Sequence, residues 1–216
     1  MPLIPSFKKQ LTNFKSLAFT YRQFVSMRSQ LYMDQAGNFM PWYTYPAWEY
    51  LKQLDLREKN VFEFGIGSSS LFWAAKAKQV MAVESSSEWF KKIAMHHRSN
   101  LFINLATQKE EYLSAIATHQ IKYDIIIIDG DHRLACAQLA KAHLANGGMI
   151  ILDNADWFHQ TVDCLRSFDF IQVDFAGFGP FNQYTWTTSI FFDRHFKTNK
   201  YSIDSLAKFN SDMREE

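Results

Sequence analysis

From Asn60 onward, short apolar runs alternate with longer stretches of helical period. The short runs predict strands over residues 60–64, 79–84, 101–107, 123–129 and 149–153, with two more over 168–175 and 187–192. The longer stretches predict helices over 68–78, 86–98, 110–119, 132–145 and 156–167, with Gly147 and Gly148 stopping the fourth. Repeated strand–helix alternation predicts a parallel sheet covered by helices on both faces. The four isoleucines Ile125–Ile128 fit its centre, because a strand covered on both sides is apolar throughout.

Residues 1–33 follow another pattern. Leu11, Phe14, Ala18, Tyr21, Val25 and Tyr32 recur at helical spacing. Lys8, Lys9, Lys15, Arg22 and Arg28 lie among them, and the first acid is Asp34. The expected amphipathic helix packs its apolar face on the main domain. Contact with an anionic membrane surface or an acidic partner is the alternative.

Composition narrows the class. The chain has 216 residues, 47% of them hydrophobic, and a formal net charge of +1. That suits one domain with an appendage and argues against a dedicated nucleic-acid binder. No apolar run approaches the length of a membrane span, and no signal-peptide pattern opens the chain. Cys136 and Cys164 lie in no metal or redox motif and read as thiols of a reduced compartment, with the cytoplasm as the default.

The candidate chemistry lies at the ends of the predicted strands. Gly65 and Gly67 sit where the first strand turns into a helix, with Ser68, Ser69 and Ser70 opening that helix. Glycine allows the turn, and the helix N-terminus offers free N–H groups to an anion. Glu84 ends the second strand, where a ribose-binding acid belongs. Glu63 lies two residues before Gly65, on the same side of the strand. A unit charge about 5 Å away interacts with it by roughly 3 kcal/mol at an effective dielectric near 20. That sign opposes a pyrophosphate and favours an ammonium group.

The segments "EFGIGSSS", "VMAVESSSEW", "YDIIIIDGDH" and "LANGGMIILDN", in this order, resemble the motifs of the class I S-adenosylmethionine-dependent methyltransferases. The resemblance covers about residues 58–193. It implies a doubly wound, Rossmann-like α/β sheet of seven strands, the last antiparallel, with an N-terminal helical extension. The domain would span residues 58–216, and residues 1–57 would form the amphipathic helix and an aromatic cap. Glu63, Gly65 and Gly67 would line the methionine end of S-adenosylmethionine, Ser68–Ser70 its carboxylate, and Glu84 its ribose.

Within that class the chain resembles the metal-dependent O-methyltransferases with an Asp-x-x-His element. The resemblance implies Asp129, Asp153 and Asn154 as Mg²⁺ ligands and His132 as general base, with Asp131 orienting His132 or touching the cofactor. Three oxygen donors from neighbouring strand ends suit Mg²⁺, which lowers the pKa of a substrate hydroxyl. The plainer alternative has Asp129 or Asp131 capping the next helix and Asp153–Asn154 forming a turn. Trp42, Tyr43, Tyr45, Tyr184 and Trp186 are candidates for a stacking surface around a sugar or another ring, against a role in the core. The expected activity is O-methylation of a small-molecule or glycan-precursor hydroxyl. An NAD-dependent oxidoreductase or epimerase is the first rival, although no Tyr-x-x-x-Lys pair occurs. A non-catalytic cofactor-binding protein and an aminopropyl transferase follow.

Overall fold

A computed structural model describes residues 7–28 and 31–197. Seven strands form one sheet: β1 (Asn60–Phe64), β2 (Gln79–Glu84), β3 (Leu101–Leu105), β4 (Tyr123–Ile128), β5 (Leu144–Leu152), β6 (Ile171–Gly177) and β7 (Trp186–Phe192). Their order is β3-β2-β1-β4-β5-β7-β6. The first five are parallel, and β7 runs antiparallel to both β5 and β6. Strand order reverses between β1 and β4, where an open α/β sheet leaves a crevice beyond its carboxyl ends. This is the doubly wound seven-stranded sheet that the sequence predicts.

The isoleucine run shows how the sheet is buried. Ile125 and Ile127 enter one apolar cluster, Ile126 and Ile128 the opposite one. The first cluster takes α4 (Ser68–Lys76) and a long contribution from Tyr32 through Leu56, including α3 (Tyr45–Leu51). Residues 31–57 of the expected cap therefore share a core with the sheet. The second cluster takes α6 (Lys109–Ser114), α7 (Arg133–His143) and α8 (His159–Arg166). A smaller cluster over β2 and the edge strand β3 holds Ile93 of α5 (Ser87–Ala94).

Three local expectations change. Gly147 and Gly148 do not end α7, which stops at His143; they lie inside β5, beside an irregularity in its register with β4. A side chain has no room there: a Cβ on Gly148 would come within 2.7 Å of the Asp124 carbonyl. The sixth strand starts later than predicted, at Ile171. The N-terminal stretch is not one helix packed on the domain. It divides into α1 (Phe7–Lys15), a π-helical turn (Ser16–Thr20) and one turn, α2 (Gln23–Ser26), separated by left-handed backbone at Arg22. Much of its apolar face is exposed. Residues 1–6, 29–30 and 198–216 of the expected units lie outside the described residues. None of the described helices is long and apolar enough to cross a membrane. Cys136 and Cys164 are free thiols.

Candidate active site

A cleft of about 500 Å³ opens at the switch point, over the carboxyl ends of β1, β2, β4 and β5. Its floor is formed by two loops in mutual contact. Gly65 has left-handed backbone (φ +90°), and a Cβ there would meet Gly130 Cα and N at 2.9 Å. A Cβ on Gly130 would lie 2.8 Å from Gly65 N and 2.2 Å from the Tyr112 hydroxyl. The loops after β1 and β4 pass so closely that neither position accepts a side chain. That is one purpose of the glycine in Asp129-Gly130-Asp131.

One half of the cleft carries the expected cofactor residues. Gly65, Gly67, Ser68, Ser69 and Glu84 line it. The Glu84 carboxylate accepts N–H bonds from Ile66 (2.9 Å), Ser85 (3.0 Å) and Ser86 (2.7 Å), which fixes the loops after β1 and β2 to one anchor. The Ser85 hydroxyl donates to Asp131 at 2.6 Å, closing this side. Gly67 precedes α4 as its N-cap, so Ser68 opens the helix rather than capping it.

Two expected residues sit behind this surface. Ser70 is fully buried; its hydroxyl accepts from Gly67 N (3.2 Å) and donates to Glu63 Oε2 (2.5 Å). Glu63 is also fully buried, and its Oε1 has no hydrogen-bond partner among the described residues. Burial pushes its carboxyl up to about 8, against the lowering effect of the Ser69 and Ser70 hydroxyls. Near neutral pH it therefore holds a proton most of the time. An uncharged Glu63 does not repel a pyrophosphate, contrary to the sign expected for a charged one, although an ammonium beside it would favour ionisation.

The other half of the cleft corrects the metal expectation. Asp129, Asp153 and Asn154 do converge on it. The Arg133 guanidinium lies among their oxygens. Its Nη2 donates to Asp129 Oδ1 (3.1 Å) and its Nη1 to Asn154 Oδ1 (3.3 Å) and to the Asp153 carbonyl. Its Nε donates to the Gly130 carbonyl at 3.1 Å, and the Phe158 ring covers it at 4.3 Å. The Asp153 carboxyl is engaged elsewhere, its Oδ1 accepting from Trp186 Nε1 (3.0 Å) and the Thr188 hydroxyl (2.5 Å). A divalent ion placed about 4 Å from a fixed guanidinium would be opposed by roughly 8 kcal/mol at an effective dielectric near 20. No group of three or more His, Cys, Asp or Glu among the described residues has a metal-binding arrangement. These residues do not fit Mg²⁺. The cation of the site is Arg133.

His132 is not brought into the cleft. The chain passes through left-handed backbone there (φ 54°), and His132 lines an adjoining, more open hollow with Lys109, Gln138 and His159, which shares Arg133 and Trp157 with the cleft. Its ring lies edge-on to Tyr112, with 6.0 Å between centroids. The side chain that enters the cleft is that of Arg133, one residue on. Asp129 remains as its titratable partner. Burial raises the Asp129 carboxyl to about 6, and Arg133 keeps it from rising further. Burial, with Asp129 close by, raises Asp153 well above the usual carboxylate range. No hydrogen bond to Asp129 Oδ2 is made by the described residues.

The aromatic candidates divide. Trp42 and Tyr184 line the cleft. Tyr43, Tyr45 and Trp186 are buried in the core instead, Tyr43 accepting from Trp73 Nε1 at 3.3 Å. Tyr32, Trp157 and Phe181 join the lining, with Phe181 against Trp42 at 4.8 Å between ring centroids. Trp157 and Arg133 were not visible as cleft residues in the sequence. The one hint for Arg133 was its position four residues after Asp129, the spacing of an ion pair on a helix.

No family model matches the chain, and no curated protein matches it. Many solved structures do. The N-methyltransferase NodS from Bradyrhizobium japonicum WM9, in complex with S-adenosyl-L-homocysteine, superposes with a TM-score of 0.51 at 13% identity, over 67% of this chain and 84% of that one. The fold is the Rossmann-like methyltransferase fold. A putative S-adenosylmethionine-dependent methyltransferase from Streptococcus mutans shares it with a TM-score of 0.52 at 12% identity, over 74% of this chain and 52% of that one.

Proposed function

We propose that this protein is an S-adenosylmethionine-dependent methyltransferase that methylates a hydroxyl of a small ring-bearing molecule, such as a sugar or glycan precursor, without a metal ion. The observation that carries the reading is the continuity of the cleft. A glycine–serine floor with Glu84 opens directly onto an Asp129–Arg133 pair rimmed by Trp42, Trp157, Phe181 and Tyr184.

The cofactor supplies an electrophilic methyl group on a sulfonium that is already a good leaving group. The remaining difficulty is a neutral, weakly nucleophilic hydroxyl. In this reading Asp129 accepts its proton through Oδ2, and the bond of Oδ1 to Arg133 Nη2 supports it. A carboxyl near 6 is ionised at neutral pH yet more basic than an exposed aspartate, which suits a general base. Arg133 and Asn154 orient that carboxylate and the acceptor, and the aromatic rim excludes water and stacks on the ring.

Transfer of a labelled methyl group from S-adenosylmethionine to a panel of sugars and phenols, with excess EDTA present, tests both parts. Turnover that survives EDTA and is lost in Asp129→Asn, with cofactor binding retained, is expected. Activity that requires added Mg²⁺ would refute the metal-free mechanism. Binding of NAD with none of S-adenosylmethionine would refute the reading as a whole.

A further inference from the structure

The N-terminal stretch Phe7–Arg28 has a face that the rest of the described protein leaves uncovered. Phe7 is 77% exposed, Phe19 62% and Phe14 54%, and Leu11, Leu17, Phe24 and Val25 are exposed beside them. Phe7, Leu11 and Phe14 fall on one face of α1 by their spacing. The rings of Phe14 and Phe24 meet at 5.6 Å, so the stretch folds back on itself and gathers its apolar residues together. A hollow of about 450 Å³ lies among Phe14, Ala18, Phe19, Phe24 and Val25.

The stretch is nevertheless anchored. The Tyr21 ring packs on Tyr45 at 4.2 Å between centroids, and its hydroxyl donates to Glu49 at 3.2 Å. Ser26 is buried. A soluble surface seldom gathers this much apolar area without a partner.

Charge decides what the partner is. Residues 1–33 hold five basic side chains and no acid, in a chain whose formal net charge is only +1. Two copies meeting through this stretch would bring together ten like charges. An anionic surface meets both requirements at once: apolar rings enter the acyl boundary while lysines and arginines reach lipid phosphates. The nine residues of α1 are too few to cross a bilayer.

We propose that the stretch Phe7–Arg28 docks this protein on the surface of an anionic lipid bilayer. The assignment is independent of the reaction in the cleft. Cosedimentation of the full chain with vesicles tests it, using phosphatidylcholine alone or with one third phosphatidylglycerol. Binding is expected to the mixed vesicles only, and to fall as salt rises. Phe14→Ser with Phe19→Ser should weaken it more than tenfold. Lys15→Gln with Arg28→Gln should weaken it about 25-fold, at about fivefold per charge. The thermal midpoint should stay near that of the parent, because these side chains are exposed. Failure to bind mixed vesicles at low salt would overturn the proposal. So would a dimer at micromolar concentration that the two serine substitutions dissolve, which would assign the face to a second copy. A chain ending at residue 197 that binds vesicles when the full chain does not would assign it to the C-terminal residues.

Discussion

Replacing Arg133 by methionine tests whether the guanidinium is what allows Asp129 to carry its charge. Methionine keeps an unbranched stem against Phe158 and removes the five donors. Both side chains of the pair are well shielded, with 11% exposure for Arg133 and 20% for Asp129. Breaking a buried pair by removing one partner costs about 3–5 kcal/mol. That cost depends on pH. With Arg133 present, burial sets Asp129 near 6, raised above the 3.8 of a free aspartate. A raised acid binds its proton more tightly in the folded state. Stability therefore falls as pH climbs from about 4 to about 6 and levels off above. Without Arg133 the carboxyl rises further, so the fall continues to higher pH, at about 1.4 kcal/mol for each additional unit. At pH 5 Asp129 is largely protonated in both proteins, and the variant loses the guanidinium's hydrogen bonds to Asp129, Asn154 and the two carbonyls but no ion pair. Urea unfolding at pH 5 and pH 8 should give a stability difference between variant and parent about 1–3 kcal/mol larger at pH 8, the ceiling being the two units between pH 6 and pH 8. An equal difference at the two pH values would refute the pairing as an electrostatic device and reduce Arg133 to packing.

Other outcomes follow from the same geometry. Turnover should rise with pH along an acid limb centred near 6, as Asp129 ionises; a rate independent of pH between 5 and 8 would remove it as the base. Gly65→Ala should destabilise the fold by about 3 kcal/mol, through strained backbone and a clash with Gly130, and abolish S-adenosylhomocysteine binding in calorimetry. S-adenosylhomocysteine at 100 times its Kd should add about 2.7 kcal/mol of stability, raising the thermal midpoint by roughly 5–10 °C, whereas NAD should leave it unchanged. Trp186→Phe should cost about 1–3 kcal/mol by taking one donor from the buried Asp153, without changing cofactor affinity.

The sheet was legible because parallel strands covered on both faces have one apolar signature, and Ile125–Ile128 carries it plainly. The place of the glycine–serine half of the cleft was legible for a related reason. Its residues sit at strand ends, where chain position already fixes place, as with Gly65 and Glu84. The half around Arg133 was not. Residue types announce oxygen donors, but not what lies among them. Arg133 reaches the Asp153 carbonyl and Asn154 across about 20 positions of chain, and only the packing of α7 against β5 brings them together. His132 and Arg133 are neighbours, and a single left-handed residue decides which one enters the cleft. Trp186 reads as a rim candidate, and Thr188 falls within the strand predicted over 187–192. Two apart on β7, they face the same way and both reach Asp153. The N-terminal stretch has helical period, but period does not say whether an apolar face finds a partner within the chain.

The back-to-back contact of Gly65 with Gly130 has a consequence for how such a chain can diverge. Two loops with no space between them cannot be altered one at a time, because any side chain added to one strikes the other. Drift is thereby steered away from the floor of the cleft and toward its rim, where Trp42, Phe181 and Tyr184 are free of that lock. The rim can then change while the floor stands still. At 12–13% identity the superposed structures share this fold and little of the sequence.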